Sequence, residues 1–249
     1  MALTSSQFYI PRIERGSTRL VIEGAEHHHL ARAARVKEGD TVRLFDASGN
    51  RCLAQVESVE KERTTLKVLQ EAAPAAPRVK LVLAQAILQA KKMEFILQKA
   101  SEIGIAEFIP VESARSLKAA GDRSGSKAER WARIAREATK QSKGGAAPVV
   151  YPAERLKVIL ARPAQGLRIF LSENGGKPFR CLLVGAGSGE PPPAPEVTVF
   201  VGPEGGWTGA EENGFREAGC EAVSLGSRIL KAETAAIAGV AMMAHFWNG

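Results

Sequence analysis

Two hydrophobic periodicities divide the chain. Up to about residue 71, apolar and polar positions alternate at period two over residues 41–46, 51–59 and 64–69, the pattern of strands with one buried face. Ala47-Ser48-Gly49-Asn50 is turn chemistry between the first two, which predicts a hairpin. Residues 7–10 and 19–22 read as further short strands and residues 25–35 as a helix, so the unit 1–71 is expected to be a small β-barrel. Ala72-Ala73-Pro74-Ala75-Ala76-Pro77 then carries no periodicity and reads as a linker.

From residue 78 to 249 the pattern becomes that of an α/β domain, in which short continuous apolar runs alternate with helical spacing. Residues 79–86 form the first such run. Met93, Ile96, Leu97, Ala100 and Ile103 follow at helical spacing, with Gly104 as the stop. Residues 108–111 are the next strand. Ser126-x-x-Glu129 is a capping box opening a helix whose buried face is Trp131, Ile134, Ala135 and Ala138. Residues 168–171, 197–201 and 221–225 predict three more strands. Thr208-Gly209-Ala210-Glu211 is a second capping box, for a helix ended by Gly219, and residues 231–246 form a last, Ala-rich helix, near whose end Met242, Met243, Phe246 and Trp247 are expected to leave apolar surface.

Each of these last three strands runs into a small or glycine-rich turn: Ser172-Glu173-Asn174-Gly175-Gly176, Gly202-Pro203-Glu204-Gly205-Gly206, and Gly226-Ser227-Arg228. Glycine lets a backbone take positive φ and approach a ligand closely. Ligands of open α/β sheets sit beyond the carboxyl ends of strands, so a site for a small polar molecule is expected there. A further Gly-rich run, Gly185-Ala186-Gly187-Ser188-Gly189, is followed by Glu190-Pro191-Pro192-Pro193. A phosphate loop needs a helix N-terminus behind it, which these prolines cannot open, so this run reads as a surface linker.

Composition is that of a soluble globular protein, with 45% hydrophobic and 24% charged residues among 249. No apolar run approaches a membrane span, the N-terminus lacks a signal-peptide layout, and the cytoplasm is the expected compartment. Cys52, Cys181 and Cys220 are too few and too scattered for a disulfide framework or zinc site. Neighbours in His27-His28-His29 point about 100° apart on a helix and cannot converge on one ion, so no metal is expected.

The net charge is +7, and its placement matters more than its size. Residues 78–162 hold 17 Lys and Arg against 8 Asp and Glu, while the rest of the chain is nearly balanced. Such a basic stretch is either a footprint for nucleic-acid phosphates or a solvated helical face. Its cations include Arg115, Lys118 and Arg123 in a loop, Arg130, Arg133, Arg136 and Lys140 along the predicted helix, and Lys143 after it.

At Val201-Gly202-Pro203-Glu204-Gly205-Gly206 and Leu225-Gly226-Ser227-Arg228-Ile229-Leu230-Lys231-Ala232-Glu233-Thr234-Ala235 the chain closely resembles the C-terminal signature of the RsmE family. The likeness extends to Met93-Glu94, Lys99-Ala100-Ser101-Glu102, Glu137-Ala138 and Gln141-Ser142. That family methylates N3 of one uridine in bacterial 16S ribosomal RNA and belongs to the SPOUT methyltransferases. The resemblance implies a PUA-like RNA-binding barrel at 1–71. It also implies a trefoil-knotted α/β domain at 78–249 that binds S-adenosylmethionine and forms a homodimer. It places the cofactor on Leu171, Ser172 and Glu173, on Val201, Gly202, Pro203, Glu204, Gly205 and Gly206, and on Leu225, Gly226, Ser227, Ile229, Leu230 and Thr234. The RNA of the small ribosomal subunit would meet Arg115, Lys118, Arg123, Arg130, Arg133, Arg136 and Lys143. Three departures stand out: Ala31-Arg32-Ala33-Ala34-Arg35 where Val-Leu-Arg is usual, no arginine after Gln141-Ser142, and Lys231 in place of arginine.

The chemistry agrees with the resemblance. Methylating the weakly acidic imide N3–H of uracil requires loss of that proton, and a nearby cation stabilises the anion left behind. Arg228 and Lys231, with Glu233, are the candidate catalytic residues. The alternative for Arg228 is an ion pair with Glu204 or Glu233. Cys220 reads as core, since N-methylation needs no covalent attack on the base. A non-catalytic RNA-binding or assembly factor on the same fold is the competing class. A dinucleotide oxidoreductase is disfavoured by the lack of an acidic ribose-binding residue at a convincing offset.

Overall fold

The computed structural model describes residues 3–46, 48–72, 77–117, 126–142, 144–183 and 195–248. The chain forms two compact units, Met1–Ala76 with Arg136–Ala147, and Pro77–Ala135 with Pro148–Gly249. The first unit holds β1 (Leu3–Tyr9), β2 (Arg19–Glu23), α1 (Gly24–His28), a π-helical turn (His29–Ala33), β3 (Thr41–Phe45), β4 (Arg51–Val59) and β5 (Arg63–Ala72). These strands make a curled five-stranded sheet in the order β1-β3-β4-β5-β2. The predicted β3–β4 hairpin is present, with Thr41 opposite Gln55 and Phe45 opposite Arg51. Period-two alternation puts Val42, Leu44, Ala54, Val56 and Leu66 into one core with Phe8, Ile22 and Leu30.

The hairpin turn has an anchor that turn propensity alone did not reveal. Asp46, 1% exposed, accepts hydrogen bonds from the backbone N–H groups of Ile13, Ser48 and Asn50 and from the Asn50 side chain, each at 2.9 Å. Burial pushes its carboxyl up, yet the Asn50 side chain and the Ile13, Asn50 and Ser48 amides hold it below the ordinary value. His27 is also turned inward, its Nδ1 2.9 Å from Thr64 Oγ1 and its Nε2 3.2 Å from the Lys61 carbonyl.

In the second unit β6 (Lys80–Ala86), α2 (Ala90–Ile103), β7 (Glu107–Glu112), α3 (Ser126–Gln141, whose residues from Arg136 on belong to the first unit), β8 (Val149–Val150), β9 (Glu154–Arg155), α4 (Leu156–Leu160), β10 (Leu167–Leu171), β11 (Lys177–Pro178), α5 (Arg180–Leu183), β12 (Glu196–Val201), α6 (Gly209–Glu217), β13 (Glu221–Ser224) and α7 (Ala232–Asn248) follow in order. The strands are laid out β11-β13-β10-β12-β6-β7-β8, and every described pairing is parallel. Parallel sheets are covered on both faces, which explains why β6 and β12 are apolar without alternation. One face carries Leu81, Leu83, Val197 and Val199 against α2, Trp131 and α7; the other packs Ala84, Phe170 and Phe200 against α4 and α6.

The punctuation works as expected. Gly104 takes φ 105° to close α2, Thr208 and Glu211 form both halves of the capping box, and Gly219 at φ 74° follows α6. The Ser126 side chain, expected to cap α3, lies outside the described set, as do Gly185-Ala186-Gly187-Ser188-Gly189 and the prolines after it.

Two expectations need correction. Met243 and Trp247 are 0% and 2% exposed in the unit's own core rather than adding apolar surface at the chain end; only Met242, half-buried, and exposed Phe246 do that. Asn248 extends α7 past residue 246 and clasps the Val79 peptide through two 2.9 Å hydrogen bonds. Lys140 is not on a solvated face either. It is buried in the first unit, where it pairs with Glu26 and with Glu137 at 3.0 Å.

Candidate active site

β13, β10 and β12 are neighbours in the sheet, so topology alone brings their carboxyl ends together. A cavity of about 410 Å³ opens there. Its walls are Leu171–Glu173 after β10, Val201–Pro203, Glu204, Gly206 and Trp207 after β12, and the stretch after β13 that reaches into α7. Every residue assigned from sequence to the cofactor or to catalysis lies on this wall except Gly205 and Thr234. Thr234 is exposed on α7. Gly205 does not line the wall, and its carbonyl accepts a 2.6 Å hydrogen bond from Arg115 Nη1.

The turn after β12 is closed by the Gly206 N–H donating to the Pro203 carbonyl at 2.9 Å. Gly206 has φ 67°, and a Cβ there would come within 2.5 Å of Glu173 Oε1. The positive φ is what favours glycine here, since the Glu173 carboxylate ends a flexible side chain that can move aside. Trp207 follows directly, its indole N–H donating to the Leu171 carbonyl at 3.1 Å and so tying this turn to the one after β10. Beneath them, fully buried Gln85 donates to the carbonyls of Ala86 at 3.0 Å and of Val201 and Gly202 at 3.4 Å.

Glu212, in the first turn of α6, organises the turn after β10. Its Oε1 accepts from Ser172 Oγ at 3.0 Å and from Asn174 Nδ2 at 3.2 Å, and its Oε2 pairs with Arg216 at 3.0 Å. Burial raises its carboxyl, but the bonds from Asn174 and Ser172, then Arg216, carry it below the ordinary value.

The charges on the cavity's rim are not equivalent. Glu204 pairs with Lys92 of α2, and that carboxylate holds the Lys92 ammonium above its ordinary value. Arg228 therefore does not have Glu204 as its partner; it is exposed and makes no ion pair among the described residues. Glu233 Oε2 is buried on the wall without a hydrogen-bond partner. Lys92, Trp207 and Glu212 were missed from sequence. The available signals were positional: Lys92 lies just past the end of β6, Trp207 abuts the glycine turn, and Glu212 follows the capping box.

The proposed RNA contacts are scattered in role. Arg130 pairs with Glu94 at 2.8 Å, whereas Arg133 is exposed without an ion pair among the described residues. The Arg136 guanidinium sits 5.3 Å from the Tyr9 ring centroid within the first unit. Lys118, Arg123 and Lys143 lie outside the described residues. Cys220 is 5% exposed in the core cluster around Phe215, and burial raises its thiol. Among the described residues no His, Cys, Asp and Glu group could hold a metal ion, and no helix is long and apolar enough to cross a membrane.

The parallel sheet with three turns walling one cavity, together with the curled-sheet unit, is the fold of the SPOUT RNA methyltransferases with a PUA-like domain, as the family models and solved structures show. The RNA methyltransferase domain model matches residues 75–244 and the RNA methyltransferase PUA domain model residues 22–69. The chain is 30% identical to the ribosomal RNA small subunit methyltransferase E of Bacillus subtilis, across 86% of this chain and 85% of that protein. The crystal structure of a ribosomal RNA small subunit methyltransferase E from Neisseria gonorrhoeae bound to S-adenosyl methionine superposes with a TM-score of 0.83 at 30% identity, covering 97% of this chain and 98% of that one. A probable rRNA-methyltransferase from Porphyromonas gingivalis gives 0.80 at 27% identity, with 97% and 98% covered. The chain belongs to the ribosomal RNA small subunit methyltransferase E family.

Proposed function

We propose that this protein transfers the methyl group of S-adenosylmethionine to N3 of a uridine in 16S ribosomal RNA of the small subunit. The observation that carries the reading is the cavity at three adjacent strand ends, with Arg228 on its rim free of ion pairs among the described residues. About 410 Å³ falls within the roughly 300–1,000 Å³ usual for cofactor and drug-sized ligands. The wall offers backbone amides and carbonyls from three turns, a left-handed glycine where a side chain would intrude, and the unpaired Glu233 Oε2 awaiting a donor. S-adenosylmethionine has such donors in its ribose hydroxyls and ammonium group, so these residues fit it.

When bound, the cofactor supplies an electrophilic methyl carbon on a sulfonium. The chain's residues prepare the acceptor. Ionisation of the imide N3–H, its proton passing to solvent water, spreads negative charge over uracil N3, O2 and O4. Arg228, and Lys231 beside it, stabilise that charge on a rim that the bound base shields from water. As a lysine, Lys231 supplies charge without the planar fork of arginine.

The same reading divides the chain into an RNA-binding PUA-like domain at 1–71, a linker at 72–77 and a methyltransferase domain at 78–249, acting in the cytoplasm. It pairs two copies through α7, where Met242 and Phe246 leave apolar surface. The test uses small subunits from a methylation-deficient strain, S-adenosylmethionine and purified protein, with the modified nucleotide located by mass spectrometry. One 3-methyluridine in 16S RNA is the expected product. Cofactor binding without any transfer would leave a non-catalytic RNA-binding factor, and a methyl group on another atom would overturn the N3 assignment.

A further inference from the structure

In the loop after β7, Arg115 is exposed yet commits part of its guanidinium to a peptide carbonyl. Arg115 donates through Nη1 to the Gly205 carbonyl at 2.6 Å, and a Cβ built on Gly205 would lie 3.3 Å from Arg115 Cδ. The neighbouring residue is fastened as well, because the Ala114 N–H donates to Glu211 Oε1 at 2.7 Å. Glu211 spends its other oxygen on the Thr208 N–H at 2.8 Å, completing the cap of α6. The loop is itself stiffened. Ser116 Oγ accepts from the Ser113 N–H at 2.9 Å, and the Leu117 N–H donates to the Ile87 carbonyl at 3.0 Å. Two crossing ties, Arg115 to Gly205 and Ala114 to Glu211, thus bracket the turn between β12 and α6.

The Gly205 peptide sits between two wall residues, Glu204 and Gly206. Its carbonyl accepts from the guanidinium while the Gly206 N–H is held on the Pro203 carbonyl, so the Gly205–Gly206 peptide is pinned from both of its polar ends. We infer that Arg115 is a positioning residue for the cofactor turn and that its charge is not spent on RNA phosphates. This rests on S-adenosylmethionine being the ligand of the cavity.

The experiment measures S-adenosylmethionine and S-adenosylhomocysteine affinities by calorimetry without RNA, and RNA affinity across a salt series. Wild type is compared with Arg115→Ala and with Arg115→Met, which keeps the aliphatic stem over Gly205 and loses the N–H groups. A hydrogen bond of this kind, partly exposed, predicts about a 3- to 10-fold loss of affinity for both ligands in both variants. The slope of RNA affinity against salt should stay at its wild-type value, since no phosphate contact is lost. Unchanged cofactor affinity in both variants, or a salt slope reduced by about 0.7 with cofactor affinity intact, overturns the inference and returns Arg115 to the RNA surface. If wild type binds neither ligand, the cofactor reading itself falls, and this inference with it.

Discussion

The two glycine turns that face each other across the cavity use similar sequence ingredients and are held very differently. The turn after β12 is gripped from every side: Gln85 below, Lys92 on Glu204, Arg115 on Gly205, and Trp207 bonded into the next turn. The turn after β13 has mainly its own local bonds, Ser224 Oγ donating to the Gly226 carbonyl at 3.0 Å and accepting from its N–H at 3.3 Å. Beyond it Arg228 is exposed and Ile229 is 81% exposed. A turn fixed before binding needs no ordering when its ligand arrives, so it suits the constant part of a site. A turn with unspent side chains suits the part that meets a second, larger substrate. Under the proposed function, the first turn would serve the cofactor and the tip of the second the RNA base.

The largest test of that division is Arg228→Ala. With no ion pair to lose among the described residues, the variant should fold and bind cofactor normally. Its single-turnover methylation rate at saturating RNA should fall about 100- to 1000-fold, the cost of removing one electrostatic donor from a transition state. An unfolded protein would make Arg228 part of the scaffold and erase the contrast. Weaker RNA binding at an undiminished rate would make it a phosphate contact.

A second comparison sets glycine against glycine. Gly206 at φ 67° and Gly226 at φ 125° both occupy backbone that disfavours side chains, at about 1–2 kcal/mol for a left-handed residue. Around Gly226 a Cβ meets nothing within 4 Å, whereas at Gly206 it would meet Glu173 Oε1 at 2.5 Å. Gly206→Ala must move that flexible carboxylate, itself on the cavity wall, and should weaken S-adenosylmethionine binding by about 5- to 10-fold in calorimetry, and Gly226→Ala by less. Equal losses would mean that both turns are equally committed to the cofactor.

Much of this site was legible in the sequence, for reasons that particular residues make plain. Strand ends followed by glycine announce where a backbone must bend, and β10, β12 and β13 were visible as apolar runs before Ser172, Gly202 and Gly226. The capping box at Thr208 and the stop at Gly219 are local chemistry and read correctly. What could not be read was partnership over distance. Lys92 lies 112 residues from the Glu204 it pairs with, and Arg115 lies 90 from the Gly205 carbonyl. A cation looks the same in sequence whether it faces a phosphate, a carboxylate or a peptide oxygen. Lys140 shows the limit: it falls in line with exposed arginines on α3, yet Glu26 draws it into a buried pair. Proximity to the chain end likewise suggested exposure for Met243 and Trp247, which helical phase then buried.

The smallest expected effect concerns two arginines three residues apart on α3. Arg130 already has a partner, Glu94 of α2 at 2.8 Å, while Arg133 is exposed and has no ion pair among the described residues. For Arg130 to reach a phosphate it must share or release that carboxylate, and surface pairs of this kind are worth about 0–1 kcal/mol. Arg133 has no such competition. In RNA-binding titrations from low to moderate salt, Arg133→Ala should weaken binding by about two- to fivefold. It should also reduce the slope of log affinity against log salt by about 0.7–0.9, the signature of one lost phosphate contact. Arg130→Ala should change the slope less, because part of its charge is already neutralised by Glu94. Equal slopes for the two variants would show that the Glu94 pair yields freely to RNA. Wild-type slopes in both would remove α3 from the RNA path and leave its arginines as a solvated face.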